Sequence, residues 1–170
     1  MGRLFFAVWA GLVLSGCSGV DEDGVYSRTD MFMGTFVQVK VIAPGIGRDR
    51  VSRLVDEVFN AARRMEKKFN GFDPASEVNE LNIKKKMRVS PEMFSLLTKA
   101  RMAGDMTGGE FNILVAPALK AGGFYARMPR EILDKIPEAA GPPDWKDIVL
   151  EEDTGNVVLR ENAWIDLAGI

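Results

Sequence analysis

The stretch Trp164-Ile165-Asp166-Leu167-Ala168-Gly169-Ile170 sets one carboxylate between two large aliphatic residues. Trp164 to Leu167 reads as the end of a short buried strand. An unpaired carboxylate in such a place is costly, so Asp166 is expected to meet a metal, a donor cluster or a ligand. Ala168-Gly169 then lets the backbone pass close to a bound group.

Working back from there, Val157 to Leu159 and Ile148 to Leu150 are two further short strands. Asp153-Thr154-Gly155-Asn156 is the hairpin turn between them. Ahead of these lies helical sequence. Val51, Leu54, Val55, Val58, Phe59, Ala62, Met65 and Phe69 recur at helical spacing and predict one amphipathic helix over residues 49–69. Ser76 caps a short helix, with Asn79 where a capping box has Glu or Gln. Ser90 followed by Pro91 starts another, ended by Thr107-Gly108-Gly109. Pro129 to Ile136 is one more short helix. Near the N-terminus, Val37, Val39 and Val41 alternate with Gln38 and Lys40, which predicts a half-buried strand. Helices followed by clustered strands favour an α+β fold, with helices layered on a mixed sheet.

Of the 170 residues, 46% are apolar and 27% charged, ordinary for a globular protein with one core. The formal net charge of −2 carries no nucleic-acid footprint. Lys84-Lys85-Lys86 is expected to be a solvated face. Histidine is absent, which excludes a His-based triad and His-ligated zinc within the chain. Carboxylates, hydroxyls, amides and glycine-rich backbone remain. They suit hard cations and phosphate, or plain binding.

Arg3, the apolar run Leu4 to Leu14 and then Leu14-Ser15-Gly16-Cys17 follow the order of a bacterial lipoprotein signal. Cys17, the single cysteine, would take the lipid. Residues 1–17 are therefore expected to be the signal and 18–24 a polar tether, with the folded part from about Val25 to Ile170. The expected location is the cell envelope, lipid-anchored on the extracytoplasmic side.

Four segments in this order resemble the FAD:protein FMN transferase family (ApbE, the thiamine-biosynthesis lipoprotein family). They are Met33-Gly34-Thr35; Met65-Glu66 through Phe72 to Ser76-Glu77-Val78-Asn79-Glu80-Leu81-Asn82; Thr107-Gly108-Gly109-Glu110-Phe111-Asn112-Ile113 with Pro117-Ala118-Leu119; and the stretch from Trp164 to Ile170. The resemblance covers the N-terminal half of the family's length, and so implies an incomplete domain. It implies transfer of FMN from FAD to a Thr or Ser hydroxyl of a target protein, with Mg2+ and release of AMP. The implied targets are flavin-carrying subunits of redox complexes. By position, Met33, Phe72, Glu110, Phe111, Asn112 and Asp166 resemble FAD-contacting residues, and Gly169 falls where the family offers a carbonyl to magnesium. Phe72 stands where tyrosine is common, and Asn112 where aspartate is usual. The competing expectation is a non-catalytic envelope lipoprotein that retains part of a flavin-binding surface.

Overall fold

The computed structural model describes residues 19–20, 25–32 and 34–168, and the chain divides into two compact units, 1–62 and 63–170. Met33, Gly169 and Cys17 lie outside the described residues. Among the described residues, no helix is long and apolar enough to cross a membrane.

The first unit holds an antiparallel sheet of three strands in the order β1 (Gly19–Val20), β2 (Val25–Phe32) and β3 (Thr35–Ile42). Gly19–Val20, inside the stretch read as a tether, pairs with Tyr26 and Ser27 of β2. Strand β3 confirms the alternation seen in the sequence, although only Val39 and Val41 on its inner face are partly buried. Helix α1 (Arg48–Phe69) crosses the boundary between the units. Its residues Val51, Val55 and Phe59 recur every fourth position and pack with Tyr26 and Phe32 as one core. Phe59 stacks on Phe32 at 5.4 Å between ring centroids, and the Arg28 guanidinium lies 4.8 Å from the same ring. Leu54 and Val58, part of the predicted stripe, are half exposed.

The second unit is built on helix α2 (Glu77–Lys84), helix α3 (Pro91–Met106) and a sheet in the order β4 (Lys86–Arg88), β6 (Asn156–Leu159) and β5 (Ile148–Glu151). Both helix starts are capped as the sequence predicts. Ser76 Oγ accepts from the Asn79 N–H, and Ser90 Oγ from the Met93 N–H. The fold is α+β, but every pairing among the described residues is antiparallel where a mixed sheet was expected. Val78 and Leu81 of α2, Met93, Leu97 and Ala100 of α3, and Ile148, Val157 and Leu159 of the sheet share one core.

A smaller core gathers Ala116, Tyr125, Ile132, Ile136 and Trp164. It is covered by α4 (Ala116–Ala121) and α5 (Arg130–Leu133), the latter shorter than the span from Pro129 to Ile136 suggested.

Three sequence readings change here. Residues 163–167 are extended but belong to no strand, for reasons that concern the site below. Asn79 does not close a capping box; its Nδ2 donates to the carbonyls of Gly71 and Asp73, at 2.9 Å each, and ties down the preceding loop. Lys85 is not simply solvated. It sits in the left-handed region at φ 61°, and its Nζ donates to the Ala163 carbonyl at 2.7 Å, 5.1 Å from the Trp164 ring. Burial lowers its pKa, partly opposed by Glu161.

Two glycines after α3 separate backbone need from space. Gly108 and Gly109 have φ of 63° and 93°. A Cβ on Gly108 would meet nothing within 4 Å, whereas one on Gly109 would lie 2.1 Å from Trp145 Cζ3. The left-handed backbone costs an L-residue about 1–2 kcal/mol. Gly108→Ala should lose roughly that amount in urea unfolding. Gly109→Ala should lose more, and a Trp145→Ala background should narrow the gap between them. Equal losses in both backgrounds would contradict this packing.

Candidate functional site

Among the described residues, those singled out by sequence (Phe72, Glu110, Phe111, Asn112 and Asp166) lie on three segments of the second unit, and α2 holds two of these. At the end of α2, the fully buried Asn82 (0% exposed) faces residue 165. Its Oδ1 accepts from the Ile165 N–H at 2.7 Å, and its Nδ2 donates to the Ile165 carbonyl at 3.0 Å. One side-chain amide thus satisfies both backbone groups of one extended residue, as a neighbouring strand would. One turn earlier, Asn79 holds the loop that carries Phe72, which is 45% exposed.

The third segment is 107–113. Thr107 Oγ1 donates to the Ala103 carbonyl at 2.8 Å and accepts from the Phe111 N–H at 3.0 Å, which closes the turn after α3. Phe111 packs partly buried on the larger core, and Glu110 is exposed. The Ile113 carbonyl accepts from the Asp166 N–H at 2.8 Å and brings 111–113 beside 166. Asn112 is engaged at both ends. Its Oδ1 accepts from the Leu114 N–H at 2.9 Å, and its Nδ2 donates to the Pro143 carbonyl at 2.8 Å.

Between Asn82 and Ile113 the chain alternates as extended backbone must. Ile165 and Leu167 pack on the larger core, while Trp164 packs in the smaller one. Asp166 faces the Trp164 side and meets Tyr125 there: the phenol O–H donates to Asp166 Oδ2. Asp166 Oδ1 accepts from the Ala168 N–H at 2.7 Å. The expected lone carboxylate therefore has a donor cluster of its own. Sequence reading missed Tyr125, which lies 41 positions away, and nothing local marks it. It also treated Asn82 as ordinary helix, although an asparagine next to buried Leu81 was a usable signal.

Among the described residues, no group of three or more His, Cys, Asp or Glu side chains could hold a metal ion. A separate cleft of about 180 Å³ lies beside this segment, lined by the apolar Leu114, Pro117, Pro143 and Ala163 and the polar Asp144, Asp147 and Asn162.

Residues 33–170 match the sequence model of the ApbE family. The chain belongs to the ApbE family. Among solved structures, an ApbE protein from Thermotoga maritima superposes with a TM-score of 0.70 at 25% identity, covering 86% of this chain and 48% of that one. The apo flavinyl transferase ApbE of Pseudomonas stutzeri gives 0.67 at 16% identity, covering 87% and 50%. The flavin transferase ApbE of Vibrio cholerae gives 0.66 at 18%, covering 86% and 48%. These last two show the ApbE fold. The chain spans about half the length of the solved relatives it matches. No curated protein matches it. In this ApbE-family chain, Asp166, Phe111 and Asn112 are on adjoining segments, and Phe72 is joined to them through α2.

Two outcomes follow. Asn82→Ala leaves the Ile165 N–H and carbonyl without partners in a buried place, at about 1–3 kcal/mol per orphaned group. Urea unfolding should show a loss of several kcal/mol, and a loss below about 1 kcal/mol would refute the pairing. Burial first, then the bond to Asp166 and its charge, push the Tyr125 phenol well above its ordinary value. A raised pKa gives stability that is complete below about pH 10 and is lost as pH rises past the unfolded value. Between about pH 8 and about pH 11, the native chain should therefore lose more urea resistance than Tyr125→Phe does. Equal losses would exclude this linkage.

Proposed function

We propose that this chain serves an FAD:protein FMN transferase, which moves FMN from FAD to a Thr or Ser hydroxyl of a flavin-carrying redox subunit and releases AMP. The observation that carries the reading is the family match over residues 33–170. The geometry supports it through a fixed carboxylate beside a turn that carries an aromatic ring, with a second ring on the loop tied to α2. Phe111 and Phe72 offer apolar ring faces for a planar heterocycle. Asp166 supplies acceptor oxygens for donor groups of the nucleotide. Magnesium, when bound, would neutralise charge on the pyrophosphate. The described residues do not by themselves fit a magnesium site. Their part in the reaction is to hold and orient the flavin nucleotide.

A second reading is a non-catalytic lipoprotein that keeps part of a flavin-binding surface. Asn112 favours it, because the amide brings no charge and each of its ends already makes one bond inside the chain. One experiment separates the two. The purified protein is incubated with FAD, Mg2+ and a candidate target domain, and the target is run on a denaturing gel. Covalent flavin fluorescence on the target is the expected result, and FAD binding without any covalent product would favour the second reading.

The envelope location belongs to the same proposal and rests on Leu14-Ser15-Gly16-Cys17. The native protein should partition into the detergent phase and Cys17→Ala into the aqueous phase. An aqueous native protein would overturn the anchor.

A further inference from the structure

We propose that Tyr125 is a positioning residue for the flavin nucleotide, acting through Asp166. The inference rests on the reading above that Asp166 contacts FAD.

Three restraints act on Asp166. Its N–H is tied to the Ile113 carbonyl at 2.8 Å, which sets the backbone. Its Oδ1 accepts from the Ala168 N–H at 2.7 Å, a bond to its own turn. Its Oδ2 accepts from the Tyr125 hydroxyl, the one side chain that holds it among the described residues. The turn bond alone leaves the plane of the carboxylate free to rock about its terminal bond. The phenol holds the second oxygen as well and so fixes that plane. Tyr125 is itself unable to wander. It is 7% exposed and its ring packs with Ala116, Ile132, Ile136 and Trp164. Trp164 is in turn fixed by the grip of Asn82 on Ile165.

The chemistry of the remaining capacity follows. A carboxylate has about four acceptor directions. Two are used here, and the half-buried Asp166 keeps the others for a ligand. Those directions accept hydrogen bonds and cannot donate them. The group they read is therefore a donor on FAD, such as a hydroxyl, a ring N–H or the adenine amine. The pyrophosphate, carrying like charge, is turned away from this point. Without the phenol, the ligand must immobilise the carboxylate itself, and the cost of freezing one side chain lowers affinity by about threefold to tenfold.

The test is a double-mutant cycle on the whole chain, with FAD and Mg2+ as the probe and flavin fluorescence as the readout. Folding of each variant is checked by circular dichroism. Tyr125→Phe keeps the packed ring and removes the hydroxyl. It is expected to weaken FAD binding by about threefold to tenfold. In an Asp166→Ala background, the same change should have no further effect, which a merely structural tyrosine would not show. Native affinity in Tyr125→Phe, with Asp166→Ala weakened, overturns this proposal and leaves the reading of Asp166 intact. So does an equal loss in both backgrounds. Native affinity in Asp166→Ala, or no FAD binding by the unaltered chain, overturns the reading and the proposal together. Should Tyr125→Phe fail to fold, Asp166→Asn probes the other end of the bond. It turns one acceptor into a donor and should weaken binding, and native affinity there overturns the proposal.

Discussion

The pairing of the Asn82 amide with the backbone of Ile165 is the constraint on which the second unit depends. A helix spends its own N–H and C=O groups internally and has none to offer an extended neighbour. A carboxamide carries one donor and one acceptor at about the spacing of a peptide group. Asn82 can thus stand in for a strand residue, and with both its bonds to Ile165 it does so. Aspartate lacks the donor, and leucine lacks both. Lys85 extends the grip by one residue through the Ala163 carbonyl, and its φ of 61° is the conformation from which its amine makes that bond. Residues 163–167 are thereby held extended between α2 and Ile113 without belonging to a sheet. Because their side chains alternate, Trp164 enters one core and Ile165 the other, and the two cores are locked to one short segment.

That locking decides how the polar groups of the site are spent. Asp166 faces the Trp164 side, so the partner it meets is the tyrosine packed there. Asn112 shows that an amide can do what a carboxylate cannot. It donates to the Pro143 carbonyl while accepting from Leu114. These two bonds tie the 107–113 turn to the 143–145 segment. Trp145 reinforces the same connection from the other side. Its indole N–H donates to Asp105 at 2.8 Å and its ring covers Gly109, where no side chain would fit. The turn that carries Glu110 and Phe111 is held from within by Thr107 and from outside by this strap.

Much of the local structure was legible because it follows from short-range rules. Ser76, Ser90 and Pro91 mark helix starts by the hydrogen bonds that their types can make. Residues 153–156 mark a hairpin by their turn chemistry, and α1 is visible in its apolar period. What was misread had the right local signal and the wrong partner. Trp164 to Leu167 alternates as a strand does, yet a side chain supplies its pairing. Asn79 sits where a capping box closes, yet its amide reaches the loop before the helix. Lys85 lies in a basic run, yet a carbonyl 78 residues away takes its charge-bearing group. Helix α1 shows the same limit, since its period predicts one stripe of which Leu54 and Val58 stay half exposed.

By itself the sequence determined the three longest helices, the hairpin, the α+β class and the family, because caps, periods and motif order are local or linear properties. It also marked Asp166 as a carboxylate in need of a partner, since burial of charge has a cost that can be read without coordinates. Only the tertiary structure decided what that partner is. Tyr125, Ile113 and Asn82 reach the 165–166 segment from three distant points of the chain. Hydrogen bonds across such separations depend on how the cores pack, and no local pattern encodes them.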